Sequence, residues 1–127
     1  MKSQRFGIEI EMTGLTRRSA ALIIAKHFDT GIKHERGIYD TYSVCDQDGR
    51  KWKIVRDASI TPQCGNRFNY DPDYKVEVVS PICHYDDIET IQSIVRELRR
   101  NGHAKVNESC GIHIHVDASK HTARSLR

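Results

Sequence analysis

The sequence feature that most constrains the fold is an alternating stretch near the N-terminus, residues 6–12, which reads Phe-Gly-Ile-Glu-Ile-Glu-Met. At the two-residue period of a β-strand, its apolar side chains share one face, and Glu9 and Glu11 share the other. The two carboxylates then lie roughly 6–7 Å apart along the strand, a spacing suited to one or two hard cations. The same pattern also fits an ordinary half-exposed strand with a solvated acidic face.

The composition is that of a polar globular chain of 127 residues with a net charge of +3, enough for one domain with a modest core. No apolar run approaches the roughly 20 residues of a membrane helix, and no Lys/Arg cluster with interleaved aromatics marks a nucleic-acid surface. We therefore expect neither membrane nor nucleic acid as a partner. The four cysteines include no Cys-x-x-Cys pair, and the first strand leaves no room for a signal peptide. We expect a cytoplasmic protein with reduced thiols.

The first half of the chain predicts a helix, a hairpin and a loop. Thr16 is a good N-cap for a helix over residues 17–28, whose apolar middle predicts burial nearly all round. Residues 39–56 predict a hairpin that turns at Asp48 and Gly49. Residues 60–73 are rich in Pro, Gly, Asn and Asp, which favours a loop.

The second half predicts a strand at residues 75–79, a helix that Asp86 caps and that ends at Gly102, and a strand at residues 110–116. In that last strand the alternation predicts that Ile112, Ile114 and Val116 point one way and that His113, His115 and Asp117 point the other. A further capped helix is expected from Ser119 onward.

Three of the strands carry metal-binding side chain types on the face opposite their apolar one, and a fourth ends at an acidic residue. The candidates are Glu9 with Glu11, Glu77, His113 with His115, and Asp57. Each signal alone is weak, since a His-x-His pair or a single strand glutamate is often structural. A set dominated by carboxylates suits Mg²⁺ or Mn²⁺ better than zinc, because hard cations prefer oxygen ligands.

Four stretches in this order resemble the motifs of the amidoligase family, a branch of the carboxylate–amine ligase superfamily that contains glutamine synthetase and glutamate–cysteine ligase. They are residues 6–11, Trp52 with residues 57–60, residues 76–81 (Val-Glu-Val-Val-Ser-Pro) and residues 110–117 (Cys-Gly-Ile-His-Ile-His-Val-Asp). The resemblance implies an α+β fold with a curved antiparallel sheet, a glutamine-synthetase-like half barrel with helices packed on one face. It also implies ATP and Mg²⁺ (or Mn²⁺) as cofactors, and an amide bond formed through an acyl phosphate between a small-molecule or peptide carboxylate and an amine.

The resemblance also implies roles for individual residues. Glu9 and Glu11 match the metal-binding glutamates of the first strand, and Glu77 matches the glutamate that holds the metal next to the substrate. His113 matches the histidine that faces the nucleotide phosphates. Asp57 falls where an acidic ligand is often found.

His115 lies on the same face as His113, where it either contacts the cofactor or supports the site from behind. The superfamily also uses a glutamate and an arginine from later strands, which residues 1–127 do not include. We therefore expect this single domain to be the N-terminal portion of a longer ligase, or a short form that a homo-oligomer or a partner completes.

Two other functions stay open on the sequence alone. The spacing of His113, His115 and Asp117 resembles part of a metal-dependent hydrolase site, although His121 is the only histidine that follows. A non-catalytic binding or assembly module is the other reading, with the acidic face merely solvated.

Overall fold

The structure, a computed structural model, describes residues 4–116. Two α-helices lie among its strands, α1 (Arg17–Phe28) and α2 (Ile88–Gly102). The first strands are β1 (Arg5–Met12), β2 (Ile32–Arg36), β3 (Thr41–Cys45), β4 (Lys51–Val55), β5 (Gln63–Cys64) and β6 (Arg67–Phe68). The remaining strands are β7 (Val76–Val79), β8 (Cys83–His84) and β9 (Ile112–Val116). Two 3₁₀ turns, Pro72–Tyr74 and Tyr85–Asp87, precede β7 and α2.

Strand β1 lies inside the main sheet and is paired along both of its edges. One edge pairs with β7 and β8, and the other pairs with β9. From β7 the sheet continues through β4 and β3 to β2, and each of these pairings is antiparallel. Strands β5 and β6 form a separate small hairpin. The α+β class is confirmed, and the curvature of a half barrel stays a prediction.

Both helices pack on one face of the sheet. The core joins the inward side chains of β1, β3, β4 and β7 to apolar residues of the two helices, among them Ile24, Ile94 and Leu98. The helix predicted over residues 17–28 is confirmed with its cap, since the Thr16 side chain accepts a hydrogen bond from the Ser19 N–H. Its predicted burial nearly all round was wrong, because Leu22 projects away from the sheet and is exposed.

The predicted start of the second long helix was also wrong in detail. Asp86 lies within a 3₁₀ turn and does not cap α2. Asp87 instead accepts a hydrogen bond from the His84 N–H at 2.8 Å, which closes that turn before the α-helix begins. The turn forms because the carboxylate of Asp87 is held in place by Arg50 from another part of the chain, a contact that local spacing cannot reveal.

Strand β2 and the β5–β6 hairpin add to the elements that the sequence predicted. Strand β2 carries mostly charged side chains and pairs with β3 at the edge of the sheet, so it lacks the alternation that a half-buried strand shows. The predicted hairpin of β3 and β4 is confirmed, and Gly49 adopts a positive φ of 80° in its turn. The predicted loop over residues 60–73 contains the β5–β6 hairpin.

The last predicted strand is confirmed as β9, which pairs with β1. Its apolar side chains Ile112, Ile114 and Val116 are exposed. The reason is its position at the sheet edge, where none of the elements among residues 4–116 covers that side of the strand. The helix expected from Ser119, together with Asp117 and His121, lies outside the described residues.

A buried polar network ties the β3–β4 turn to the start of α2. Asp46 accepts hydrogen bonds from the Trp52 indole N–H at 3.1 Å and from Nε of Arg50 at 3.0 Å. The Arg50 guanidinium also donates to both carboxylate oxygens of Asp87, and these bonds raise the pKa of Arg50. Trp52 is therefore fixed both by packing and by a buried hydrogen bond.

Of residues 4–116, neither helix has the length and apolar character that a membrane crossing requires.

We predict that Asp46→Ala lowers the free energy of unfolding by about 2–4 kcal/mol, because it leaves the buried Trp52 indole N–H without its acceptor and removes one of the carboxylates bonded to the partly buried Arg50 guanidinium. The measurement is urea unfolding followed by far-UV circular dichroism. The matched control is Asp48→Ala in the same turn, since the Asp48 side chain is 80% exposed and the Asp46 side chain only 3%. Equal losses in the two variants would contradict the role of the network.

Candidate functional site

The register of β1 against β7 brings two acidic side chains together on the face away from the helices. Glu11 lies directly opposite Glu77 in the β1–β7 ladder, and Val55 lies opposite Glu77 in the β4–β7 ladder. Because side chains alternate along a strand, Asp57, two residues after Val55, continues on the same face. Carboxylate oxygens of Glu11, Asp57 and Glu77 all lie within 4.8 Å of one another. We call these three residues the carboxylate cluster.

A tight turn after β4 orients Asp57. Its Oδ1 accepts hydrogen bonds from the Ser59 N–H at 2.9 Å and from the Ser59 hydroxyl at 2.6 Å. The Asp57 carbonyl accepts from the Ile60 N–H at 3.2 Å, and Ile60 is buried. The Asp-Ala-Ser-Ile stretch thus forms a turn that holds the carboxylate over the end of the sheet.

The backbone of Gly111 orients Glu11. The Gly111 N–H donates to Glu11 Oε1 at 2.8 Å, while the Glu11 N–H donates to the Gly111 carbonyl at 2.9 Å. A Cβ at Gly111 would lie 3.5 Å from Glu11 Oε1 and 3.8 Å from His113 Nε2. Glu11 and His113 therefore border the same space beside Gly111, and Glu11 is buried.

A second group lies beside the cluster, along β1. Glu9 is opposite His113 in the β1–β9 ladder, and Gly7 is opposite His115. Glu9 Oε1 lies 3.2 Å from Nε2 of His115 and 3.7 Å from Nδ1 of His113. Both imidazoles are exposed, so Glu9 orients two rings that face solvent.

The proximity of the three carboxylates shifts their proton affinities. Burial, a hydrogen bond with Asp57 and the charges of Glu9, Asp57 and Glu11 together raise the pKa of Glu77 to about 7. The hydrogen bond with Asp57, together with burial, also raises the pKa of Glu11. The same bond and the donors of Ser59 lower the pKa of Asp57. Among the described residues, no Lys or Arg forms an ion pair with any member of the cluster.

All six predicted site residues lie on one face of the sheet, in two adjoining groups. The geometry puts Glu11, Asp57 and Glu77 in the cluster and joins Glu9 to His113 and His115. Asp57 is thus more central than the sequence suggested, and Glu9 is nearer to the histidines than to the centre of the cluster. Whether these residues bind metal or nucleotide stays a prediction.

The donor set of the cluster fits a hard divalent cation. It offers carboxylate oxygens alone, the ligands that Mg²⁺ and Mn²⁺ favour, and their mutual approach is unfavourable unless a proton or a cation compensates it. Zinc sites instead favour nitrogen and sulfur ligands in tetrahedral arrangement. No cysteine belongs to the cluster, and Cys45, Cys64, Cys83 and Cys110 are all free.

Sequence reasoning missed two features that border the site. Gly111 supplies the backbone donor to Glu11, which its place just before the His-x-His strand does not reveal. Tyr39 lines a cavity of about 320 Å³ together with Asp57, Glu77, Val55, Arg56 and Ala58. The available signal for Tyr39 was Gly37, two residues earlier, which marks a turn without indicating what the turn faces.

We predict that Glu77→Gln stabilises the metal-free protein at pH 8 by about 1–2 kcal/mol, allowing for solvent screening of this half-buried group. The pKa of Glu77 is raised to about 7 in the folded state, from an ordinary value of 4.5, so the folded state favours the protonated form. Stability from this group is therefore present at low pH and is lost as pH rises toward 7 and beyond. The measurement is thermal unfolding in chelator at pH 5 and pH 8.

The control for this prediction is Glu108→Gln, which removes an exposed carboxylate outside the cluster. The gain for Glu77→Gln should appear at pH 8 and shrink toward zero at pH 5, whereas the control should change little at either pH. A gain of equal size at both pH values would contradict charge repulsion as its cause.

Comparison with known proteins identifies the family. The family model described as "Putative amidoligase enzyme" matches residues 2–127, nearly the whole chain. No curated protein and no solved structure matches this chain. The carboxylate cluster and the Glu9–histidine group both lie within the matched region. The chain belongs to the amidoligase family.

Proposed function

We propose that this protein is an ATP- and Mg²⁺-dependent carboxylate–amine ligase that forms an amide through an acyl phosphate. The observation that carries the proposal is the carboxylate cluster, three acidic groups within 4.8 Å of one another in a chain of the amidoligase family. A solvated acidic face would keep such groups apart, because each additional carboxylate raises the cost of ionising its neighbours. The loss of stability that this repulsion causes is explained if a bound cation compensates the negative charges.

In this proposal Glu11, Asp57 and Glu77 would hold Mg²⁺ or Mn²⁺, and Glu9 with His113 would hold a second ion or the phosphates of ATP. When bound, the cations screen the negative charges that meet when a carboxylate approaches the γ-phosphate. The half-barrel curvature expected for this family would gather the two groups around one pocket.

The residues of the chain supply position and protonation state. Strand pairing fixes the separation of Glu11 and Glu77, and the Gly111 N–H fixes the direction of the Glu11 carboxylate. The donors of Ser59 fix the Asp57 carboxylate, so all three groups are held in one arrangement before any ligand arrives. Preorganisation of this kind lowers the cost of binding, because ligands need not be gathered from mobile positions.

Glu9 orients the two histidines, as Gly111 orients Glu11. Its Oε1 lies at hydrogen-bond distance, 3.2 Å, from Nε2 of His115 and 3.7 Å from Nδ1 of His113, so it attracts both rings on the same face as the cluster. An imidazole oriented by a carboxylate is a good donor to a phosphate oxygen. His113 would therefore contact the nucleotide phosphates, and His115 would support or extend that contact.

The reaction itself then proceeds without a protein nucleophile. An oxygen of the substrate carboxylate attacks the γ-phosphorus of ATP, and ADP leaves with the bridging oxygen. The nitrogen of the amine attacks the acyl carbon, the bond to the phosphate oxygen breaks, and inorganic phosphate leaves as the amine loses a proton. The substrates would be a small-molecule or peptide carboxylate and an amine, in the cytoplasm where ATP is available.

We predict that Mn²⁺ binds the 127-residue chain and that Glu11→Gln combined with Glu77→Gln weakens this binding at least about tenfold, because two of three cluster carboxylates lose their charge. Isothermal titration calorimetry with Mn²⁺, followed by ATP in the presence of Mn²⁺, measures both steps. ATP should bind more tightly when Mn²⁺ is present.

The matched control is Glu108→Gln, which should bind Mn²⁺ and ATP as the unmodified chain does. Unchanged Mn²⁺ binding in the double variant would contradict the proposal. Stoichiometric zinc that is lost in His113→Gln combined with His115→Gln, with no Mn²⁺-dependent ATP binding, would favour a hydrolase instead.

A further inference from the structure

The cavity beside the carboxylate cluster has a wall that the family resemblance does not explain. It is lined by Tyr39, Val55, Arg56 and Ala58 and shares Asp57 and Glu77 with the cluster. Its volume of about 320 Å³ suits a small organic molecule and exceeds what a single ion with its water requires. A ligand bound in this cavity would contact Asp57 and Glu77 directly.

Tyr39 is held at this cavity by its main chain, and the residue is 63% exposed. The Arg56 N–H donates to the Tyr39 carbonyl at 2.9 Å, and Nη2 of Arg56 donates to the Ile38 carbonyl at 2.6 Å. Arg56 directly precedes Asp57, so the loop with Tyr39 is attached to the same stretch that carries a cluster carboxylate.

A buried arginine fixes the other end of this loop. Arg17 is 2% exposed and donates to Asp40 Oδ2 at 2.7 and 3.2 Å, while Nε2 of His34 lies 2.6 Å from Asp40 Oδ1. Asp40 adopts a positive φ of 45°, which is unfavourable for a residue with a side chain and persists because these partners hold it. The loop between β2 and β3 is thus a fixed wall and presents Tyr39 at a set position.

We infer that this cavity binds the carboxylic acid substrate of the ligase and that Tyr39 is a residue that determines its specificity. The inference rests on the proposed function, because that function requires an organic acid in contact with the cluster and room for the rest of the molecule. The cavity at Tyr39 is bordered by two of the three cluster residues, Asp57 and Glu77.

The lining indicates what kind of acid fits. Val55, Ala58 and the ring of Tyr39 offer apolar and aromatic surface for a carbon skeleton, and cations at the cluster would receive the carboxylate. The guanidinium of Arg56, already bonded to the Ile38 carbonyl, adds a positive charge to the same wall. The nucleotide then belongs at the opposite end of the face, beside His113 and His115.

The experiment is an NMR titration of the ¹⁵N-labelled 127-residue chain with 3-phenylpropanoate, in the presence and absence of Mg²⁺. The matched ligand control is 3-phenylpropanamide, which has the same skeleton and no charge. We expect saturable shifts at Tyr39 and Ala58 that need Mg²⁺ and favour the carboxylate. Tyr39→Ala should weaken binding about fivefold through the lost aromatic contact, whereas Tyr39→Phe should retain it.

The matched protein control is Tyr70→Ala, which removes a tyrosine that is 89% exposed in another loop and should bind as the unmodified chain does. Both tyrosines are exposed, so neither alanine variant threatens the core, and dispersed amide signals confirm the fold of each. Shifts that arise elsewhere, an unchanged affinity in Tyr39→Ala, or equal binding of the amide would overturn the inference.

The metal titration separates this inference from the proposed function. If Mn²⁺ binds the cluster and 3-phenylpropanoate produces no shifts at Tyr39, the inference about the cavity fails and the ligase proposal remains. If Mn²⁺ does not bind at all, the proposed function fails first, and Mg²⁺-dependent binding of the acid is lost with it.

Discussion

The pairing of β1 along both of its edges is the constraint on which the rest of the structure depends. One edge places Glu11 opposite Glu77, and the other places Glu9 opposite His113. A slip of one residue in either ladder would turn one partner's side chains toward the helices, because side chains alternate along a strand. The core therefore fixes the site: the apolar face of β1 must meet α1 and α2, and its acidic face is then directed away from them.

The carboxylate cluster opposes folding locally, and the surrounding structure compensates for it. Burial and neighbouring charges raise the pKa of Glu77 to about 7, which means that the ionised form is disfavoured in the folded chain. The Gly111 N–H stabilises the Glu11 carboxylate, and the donors of Ser59 stabilise that of Asp57. The site thus keeps unfavourable charge in a fixed place, which is typical of positions selected for binding more than for stability.

Much of the fold could be predicted from the sequence wherever local signals agreed with burial. The cap at Thr16 and the Asp48–Gly49 turn follow from local chemistry, and both are confirmed. The failures have a shared cause in distant contacts. Asp86 looks like a cap, yet Arg50 holds Asp87 and a 3₁₀ turn forms first. Strand β9 forms as predicted, and its place at the sheet edge leaves its apolar side chains exposed.

The sequence by itself determined which residue types would share a face, because the period of a strand puts Glu9 with Glu11 and His113 with His115 whatever the partners are. It could not determine which of them would meet. Only the tertiary structure decided that Glu11 joins Glu77 and Asp57 while Glu9 turns to the histidines, since cross-strand register and the turn after β4 set those distances. The same holds for Tyr39, which reaches the site through a loop held by the distant side chain of Arg17.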